Sequence, residues 1–96
     1  MPRYLVERSF QDEFAIPGPG YSAQARLLFI ENNTMFSVVW IHSYVSLDGK
    51  KSYCIYEAPN PEALRLAAKR NYLPVDRIIE IRMFDPYLSN GPARDV

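Results

Sequence analysis

The sequence holds one cysteine, one histidine, one tryptophan and four glycines in 96 residues. A single Cys excludes an intramolecular disulfide, and no Cys-x-x-Cys pair or repeated Cys/His spacing marks a zinc fold. Neither sign of charge prevails, because 11 Lys and Arg balance 11 Asp and Glu. Such a chain has no net field to draw it to phosphate backbones or anionic lipid, so nucleic acid is not an expected partner. No stretch approaches the ~18 consecutive apolar residues of a membrane-spanning helix, so no membrane partner is expected either. Met1-Pro2-Arg3-Tyr4 leads into a strand pattern without the apolar run and cleavage site of a signal peptide, which points to a cytoplasmic, reduced setting.

What is present is an ordinary globular composition, 48% apolar and 23% charged, with a high aromatic share of 14%. A chain of this size buries roughly two-thirds of its unfolded surface, enough for one modest core. We expect one domain over residues 1–87 and a flexible tail over 88–96, where Ser, Asn, Gly and Pro collect.

Arg3 to Phe10 alternates as a strand, with Tyr4, Val6 and Arg8 on one side and Leu5, Glu7 and Ser9 on the other. Ile16-Pro17-Gly18-Pro19-Gly20 is a loop by its prolines and glycines. From Ser22, a candidate N-cap, Ala23, Leu27 and Ile30 recur at helical spacing up to a stop at Asn32-Asn33. Asn60 as N-cap with Pro61 at the first position starts a second helix, whose narrow face is Leu64, Ala67 and Ala68. Lys69 and Arg70 suit its C-terminal dipole, and Pro74 bars its continuation. Asp76 to Phe84 is the last strand.

Between the helices, Trp40 to Val45 and Ser52 to Tyr56 read as the arms of a β-hairpin around Leu47-Asp48-Gly49. A two-residue Asp48-Gly49 turn pairs Leu47 with Lys50, sets His42 opposite Ile55 and turns Cys54 to the other face. A three-residue loop with Gly49 left-handed pairs Ser46 with Lys50 and sets His42 opposite Cys54. Burial favours the second: Val39, Ile41, Val45, Tyr53 and Ile55 then form a core face, and Trp40, His42, Tyr44, Cys54 and Tyr56 the opposite one.

Strand, helix, hairpin, helix, strand is the βαββαβ order of an α+β, ferredoxin-like plait. Both helices then cover one face of a four-stranded antiparallel sheet of order 4-1-3-2. The other face is left bare, and burial of its aromatic patch by a homodimer packed sheet to sheet is the simplest remedy. On that bare face the favoured register gathers His42, Cys54, Glu7 and Glu80 into one band. Imidazole, thiolate and carboxylate together suit nickel, zinc, copper or cobalt, and disfavour magnesium or calcium.

Each of these residues also has a plainer reading. A lone strand Cys is commonly a small buried hydrophobe, and a His between Trp40 and Tyr44 a hydrogen-bonded interface residue. Glu7 and Glu80 can pair with Arg8 or Arg82. Tyr4, Tyr53 and Tyr56 could stack on RNA, but the sequence has no basic patch or glycine–aromatic motif for that role. A dimeric α/β barrel that binds or oxidises a small molecule, with His42 as acid, base or ligand, is an alternative, as is a plain interaction module. No catalytic motif is present, and an enzyme is not expected.

Met1 to Arg8, Trp40 to Ser46, Tyr53 to Ala63 and Leu73 to Ile78 together resemble a family of small bacterial proteins. That family was long known as a domain of unknown function and is often labelled nickel-binding. The resemblance spans nearly the whole chain to Tyr87, with His42-Ser43-Tyr44 and Cys54-Ile55-Tyr56 its most specific pieces. It implies a ferredoxin-like homodimer that binds nickel for storage, sequestration or response, without catalysis. The metal positions it carries over are His42, Cys54, Glu7 and Glu80. The chain departs from the pattern between Phe14 and Phe36, where the Pro-Gly loop and Leu28-Phe29-Ile30 are more apolar.

Overall fold

Helix α2 shows how local signals set this architecture. Asn60 is extended and its side chain accepts a bond from the Ala63 amide at 2.9 Å, with Pro61 at the first helical position. The helix then runs over Pro61–Arg70. It ends before Pro74 is reached: Tyr72 takes a left-handed φ of 58°, and the Leu73 amide returns to the Ala68 carbonyl at 2.9 Å. That bond satisfies a terminal carbonyl of the helix. Ala63, Leu64, Ala67 and Ala68 are buried, a small-residue face that lets the helix lie close to the sheet.

The computed structural model describes residues 1–11 and 22–88. The Pro-Gly loop at 16–20 and the tail from 89 onward lie outside them. The remaining elements are β1 (Arg3–Ser9), α1 (Ala23–Thr34), β2 (Val39–Val45), β3 (Lys51–Glu57) and β4 (Arg77–Ile81). All pairings are antiparallel and the order is β2-β3-β1-β4, which is the expected 4-1-3-2 sheet read from its other edge. β4 is shorter than the expected Asp76–Phe84, because its partner β1 begins at Arg3, opposite Ile81.

The inward face of α1 differs from expectation. Ser22 does cap it, accepting from the Ala25 amide at 3.1 Å. Yet Ala23, Leu27 and Ile30 are exposed, and Ala25, Phe29, Asn32 and Asn33 turn inward. Four consecutive apolar residues, Leu27 to Ile30, go round the helix and let more than one face satisfy a 3.6-residue period. Amide bonds decide between them: Asn71 donates to Asn33 at 3.1 Å, and Asn32 donates to Asn71 at 2.8 Å.

Next to the loop the hairpin takes the register of the two-residue alternative, with His42 opposite Ile55 and Cys54 on the other face, but reaches it through a longer loop. Ser46 and Lys51 close a four-residue loop, with the Ser46 amide on the Lys51 carbonyl at 2.9 Å. Lys50 is drawn into the loop because its amide donates to the Asp48 carboxylate at 3.0 Å. The Ser46 hydroxyl also donates to Asp48, at 2.7 Å, and accepts the Lys51 amide at 2.9 Å. These bonds, the hydroxyl's first, hold the Asp48 carboxyl below the usual carboxylate range. From this loop to His42 the pairs are Val45–Ser52, Tyr44–Tyr53, Ser43–Cys54 and His42–Ile55. Beyond a bulge at Ile41 the register changes to Trp40–Tyr56 and Val39–Glu57. The expected three-residue-loop register therefore holds only on the far side of the bulge. One inserted residue moves everything between it and the loop by one place and so to the other face.

The core also lies on the opposite face from that expected. Tyr4, Val6, Cys54 and Tyr56 pack under the helices with Val38, Ala58 and Leu64, joined by the half-buried Trp40 and Ile78. Tyr53, Ile55 and Val39 lie on the bare side, in register with Glu7, Leu5 and the Glu57–Arg3 pair. β3 has apolar residues on both faces, so its own alternation cannot choose. The narrow alanine face of α2 leaves room for rings rising from the sheet, and Tyr4 and Tyr56 supply them.

Gly49 has φ of 72°, where a Cβ is sterically penalised. Gly49→Ala should lower the urea midpoint by the equivalent of about 1–2 kcal/mol with an unchanged m-value. An unchanged midpoint would show that this loop does not hold the register.

Candidate functional site

Two surfaces of the sheet carry chemistry, and the pleat divides the expected metal-binding residues between them. On the bare face one row reads His42, Ile55, Leu5, Ile79 across the four strands, and the next reads Tyr44, Tyr53, Glu7, Arg77. The His42 imidazole is exposed and stands edge-on to Tyr44, with ring centroids 5.2 Å apart and planes at 86°. Tyr44 is 64% exposed, and Val39 and Ile79 on the same face are exposed as well. Glu7 is engaged by cations: Lys51 Nζ lies 3.1 Å from Oε2 and Arg77 3.7 Å from Oε1. Its hydrogen bond and charge hold the Lys51 ammonium above its ordinary pKa. These partners are Lys51 and Arg77 rather than the expected Arg8, because Arg8 points to the other face.

The helix-covered face takes the other two. Cys54 is a free, buried cysteine whose thiol donates to the Ser52 hydroxyl at 3.7 Å. Glu80 stands opposite Tyr4 on the edge strand and is exposed. His42 and Cys54 therefore do not share a face, and the single band of four ligands is not formed within one chain. The bulge at Ile41 separates His42 from Cys54, and the regular pairings of β1, with Glu7 opposite Tyr53 and Glu80 opposite Tyr4, separate the two carboxylates. His42 and Glu7 do share a face, but two strand spacings and two residues separate them, roughly 12 Å between Cα atoms. Among the described residues no three His, Cys, Asp or Glu side chains come together as a metal-binding group. The described residues thus offer a metal ion an exposed imidazole and a distant, ion-paired carboxylate, not a closed ligand set.

The structure adds a residue the sequence reading passed over. Arg8 is 3% exposed, buried with Tyr4, Val6 and Phe10 on the inward side of β1. Its Nη1 donates to the Pro74 carbonyl at 2.5 Å and its Nη2 to the Tyr56 hydroxyl at 3.1 Å. The guanidinium carbon lies 5.9 Å from the centroid of the Tyr56 ring. The signal for its burial is the run Tyr4, Val6, Arg8, Phe10, three apolar residues in phase with one cation. Burial pushes the Tyr56 hydroxyl up to about 12, although the Arg8 charge pulls the other way.

Folded Tyr56 keeps its proton to about pH 12, whereas an unfolded tyrosine loses it near 10. The corresponding stability is complete below pH 10 and is lost as the pH rises through 12. Denaturation at fixed ionic strength should show wild type losing on the order of 2 kcal/mol more than Tyr56→Phe over that interval. Parallel losses would place Tyr56 in contact with water.

The model of a family described as nickel responsive protein, SCO4226-like, matches residues 4–81. That span runs from the second residue of β1 to the end of β4 and contains both sheet faces. No curated protein matches the chain. Among solved structures, the crystal structure of SCO4226 from Streptomyces coelicolor A3(2) is similar, with a TM-score of 0.65 at 16% identity. The similarity covers 86% of this chain and 99% of that one, and at this identity it speaks for the fold alone. With more than half of its length matched by the family model, the chain belongs to the SCO4226-like family of nickel responsive proteins.

Proposed function

We propose that this protein binds nickel(II) on its bare sheet face as a homodimer, for storage, sequestration or response to the metal in the cytoplasm. The observation that carries the reading is His42: an exposed imidazole on an apolar, uncovered sheet surface. Imidazole nitrogen suits nickel, and carboxylate oxygen can complete its shell. Val39, Tyr44 and Ile79 around it are exposed apolar groups of the kind that mark an interaction surface. The family's description as nickel responsive supports the choice of metal.

A second copy packed on this face would double the available donors, which answers the shortage of ligands in one protomer. In this reading His42 is the principal ligand. Glu7 is the carboxylate on the same face, available once Lys51 and Arg77 are displaced. Glu80 stands on the helix-covered side of the edge strand, opposite Tyr4, and is not part of the proposed set. Cys54 lies under the helices and is not part of the proposed set.

Equilibrium dialysis against nickel, with His42→Ala, Glu7→Gln, Glu80→Gln and Cys54→Ala beside wild type, tests this. His42→Ala should bind at least ten times more weakly, and Cys54→Ala should bind like wild type. Absence of nickel binding by wild type, or an undiminished His42→Ala, would sink the reading. Sedimentation should give a dimer, and a monomer at all concentrations would remove the shared interface.

A further inference from the structure

The residue that the nickel reading leaves unused is Arg8, and its surroundings have a consistent chemistry. A cavity of about 20 Å³ opens between the sheet and the helices. Arg8, Trp40, Ser43, Ser52, Cys54 and Tyr56 line its sheet side. Arg8 is almost wholly buried, and its Nε–H has no hydrogen-bond partner among the described residues. No carboxylate among those residues forms an ion pair with it. Its two bonded acceptors, a carbonyl and a phenol oxygen, are neutral. A guanidinium in this position is a buried positive charge with no negative partner among the described residues, a costly arrangement unless an anion compensates it.

The rest of the lining is rich in donors. The Ser43 hydroxyl accepts the Trp40 indole N–H at 2.8 Å, the Ser52 hydroxyl accepts the Cys54 thiol, and the Tyr56 hydroxyl accepts Arg8 Nη2. The Ser43 and Ser52 hydroxyls, accepting in this way, still have their own protons to donate, while the Tyr56 hydroxyl is hydrogen-bonded with Cys54. The sheet side of the wall thus offers several donors, and the Asn33 and Asn71 side chains join the lining from the helix side. An anion needs donors only. The cavity has room for at least one water-sized group, and a compact monovalent anion matches the single charge of Arg8.

We propose that this cavity is a binding site for one compact monovalent anion of halide size, held by Arg8 Nε–H and the Ser43 and Ser52 hydroxyls. The site is separate from the bare sheet face and does not rest on the nickel reading. Its occupant neutralises Arg8 and ties β1, β2 and β3 together beneath the helices.

Trp40, the chain's one tryptophan, reports on the cavity directly. Wild type is titrated with iodide, with gluconate keeping the ionic strength constant, and tryptophan fluorescence is read. Quenching should saturate in wild type, weaken at least tenfold in affinity in Arg8→Gln and several-fold in Ser43→Ala. If Arg8→Gln does not fold by circular dichroism, Ser43→Ala decides together with crystals of wild type soaked in bromide. Those crystals should show an anomalous bromide peak beside Arg8 Nε. Quenching that stays linear in iodide and equal in wild type and Ser43→Ala would overturn the proposal. So would a cavity that holds only water in the bromide-soaked crystals.

Discussion

One constraint organises this sheet: β3 is hydrogen-bonded along both edges, so its alternation is imposed on β1 and β2 together. Lys51, Tyr53, Ile55 and Glu57 point one way and Ser52, Cys54 and Tyr56 the other, and every partner inherits one of those faces. On the β1 side the inheritance is regular, from Arg3–Glu57 to Ser9–Lys51. On the β2 side it is interrupted at Ile41. That insertion lets Trp40 join Tyr56 in the core and still leaves His42 facing outward beside Tyr44. A hairpin without the bulge would have to send one of them to the wrong side, burying a histidine or exposing the indole.

The two faces that result are suited to different work. The bare face combines an exposed imidazole, tyrosine and branched aliphatic side chains with a carboxylate held between two cations. It is a surface of the kind that association covers, and the one on which we propose that nickel binds. The covered face has its polar groups under the helices, where low dielectric strengthens each hydrogen bond and makes each unmade one costly. Arg8, Tyr56, Ser52 and Cys54 form a connected set there. Such a network specifies one packing of the helices only if its members are satisfied, which is why the unpartnered Arg8 Nε draws attention to the cavity beside it.

Much of the fold was legible because its signals are local. Asn60-Pro61 and Ser22 start helices by satisfying or removing amide donors within a few residues, independent of anything distant. The βαββαβ order and the covered face of α2 follow from such signals plus a period of 3.6. Where apolar residues ran without a period, as from Leu27 to Ile30, the inward face could not be read, and side-chain amide bonds to Asn71 chose it. The candidate site suffered from the same limit. His42 and Cys54 were noticed by their chemistry, but their mutual placement depended on counting back from a turn.

The sequence by itself determined the strand and helix content and the sheet order, and offered the side chains proposed as metal ligands, because propensity, capping and alternation act over a few residues. Only the tertiary structure decided which face of each strand is buried, that His42 and Cys54 lie on opposite sides of the sheet, and that Arg8 belongs to the core. The reason is the two-residue period of a strand. One inserted residue, or one more residue drawn into a turn, reverses the direction of every side chain up to the next irregularity. The bulge at Ile41 and the capture of Lys50 by Asp48 are fixed by contacts across strands and within the loop, which no local pattern records.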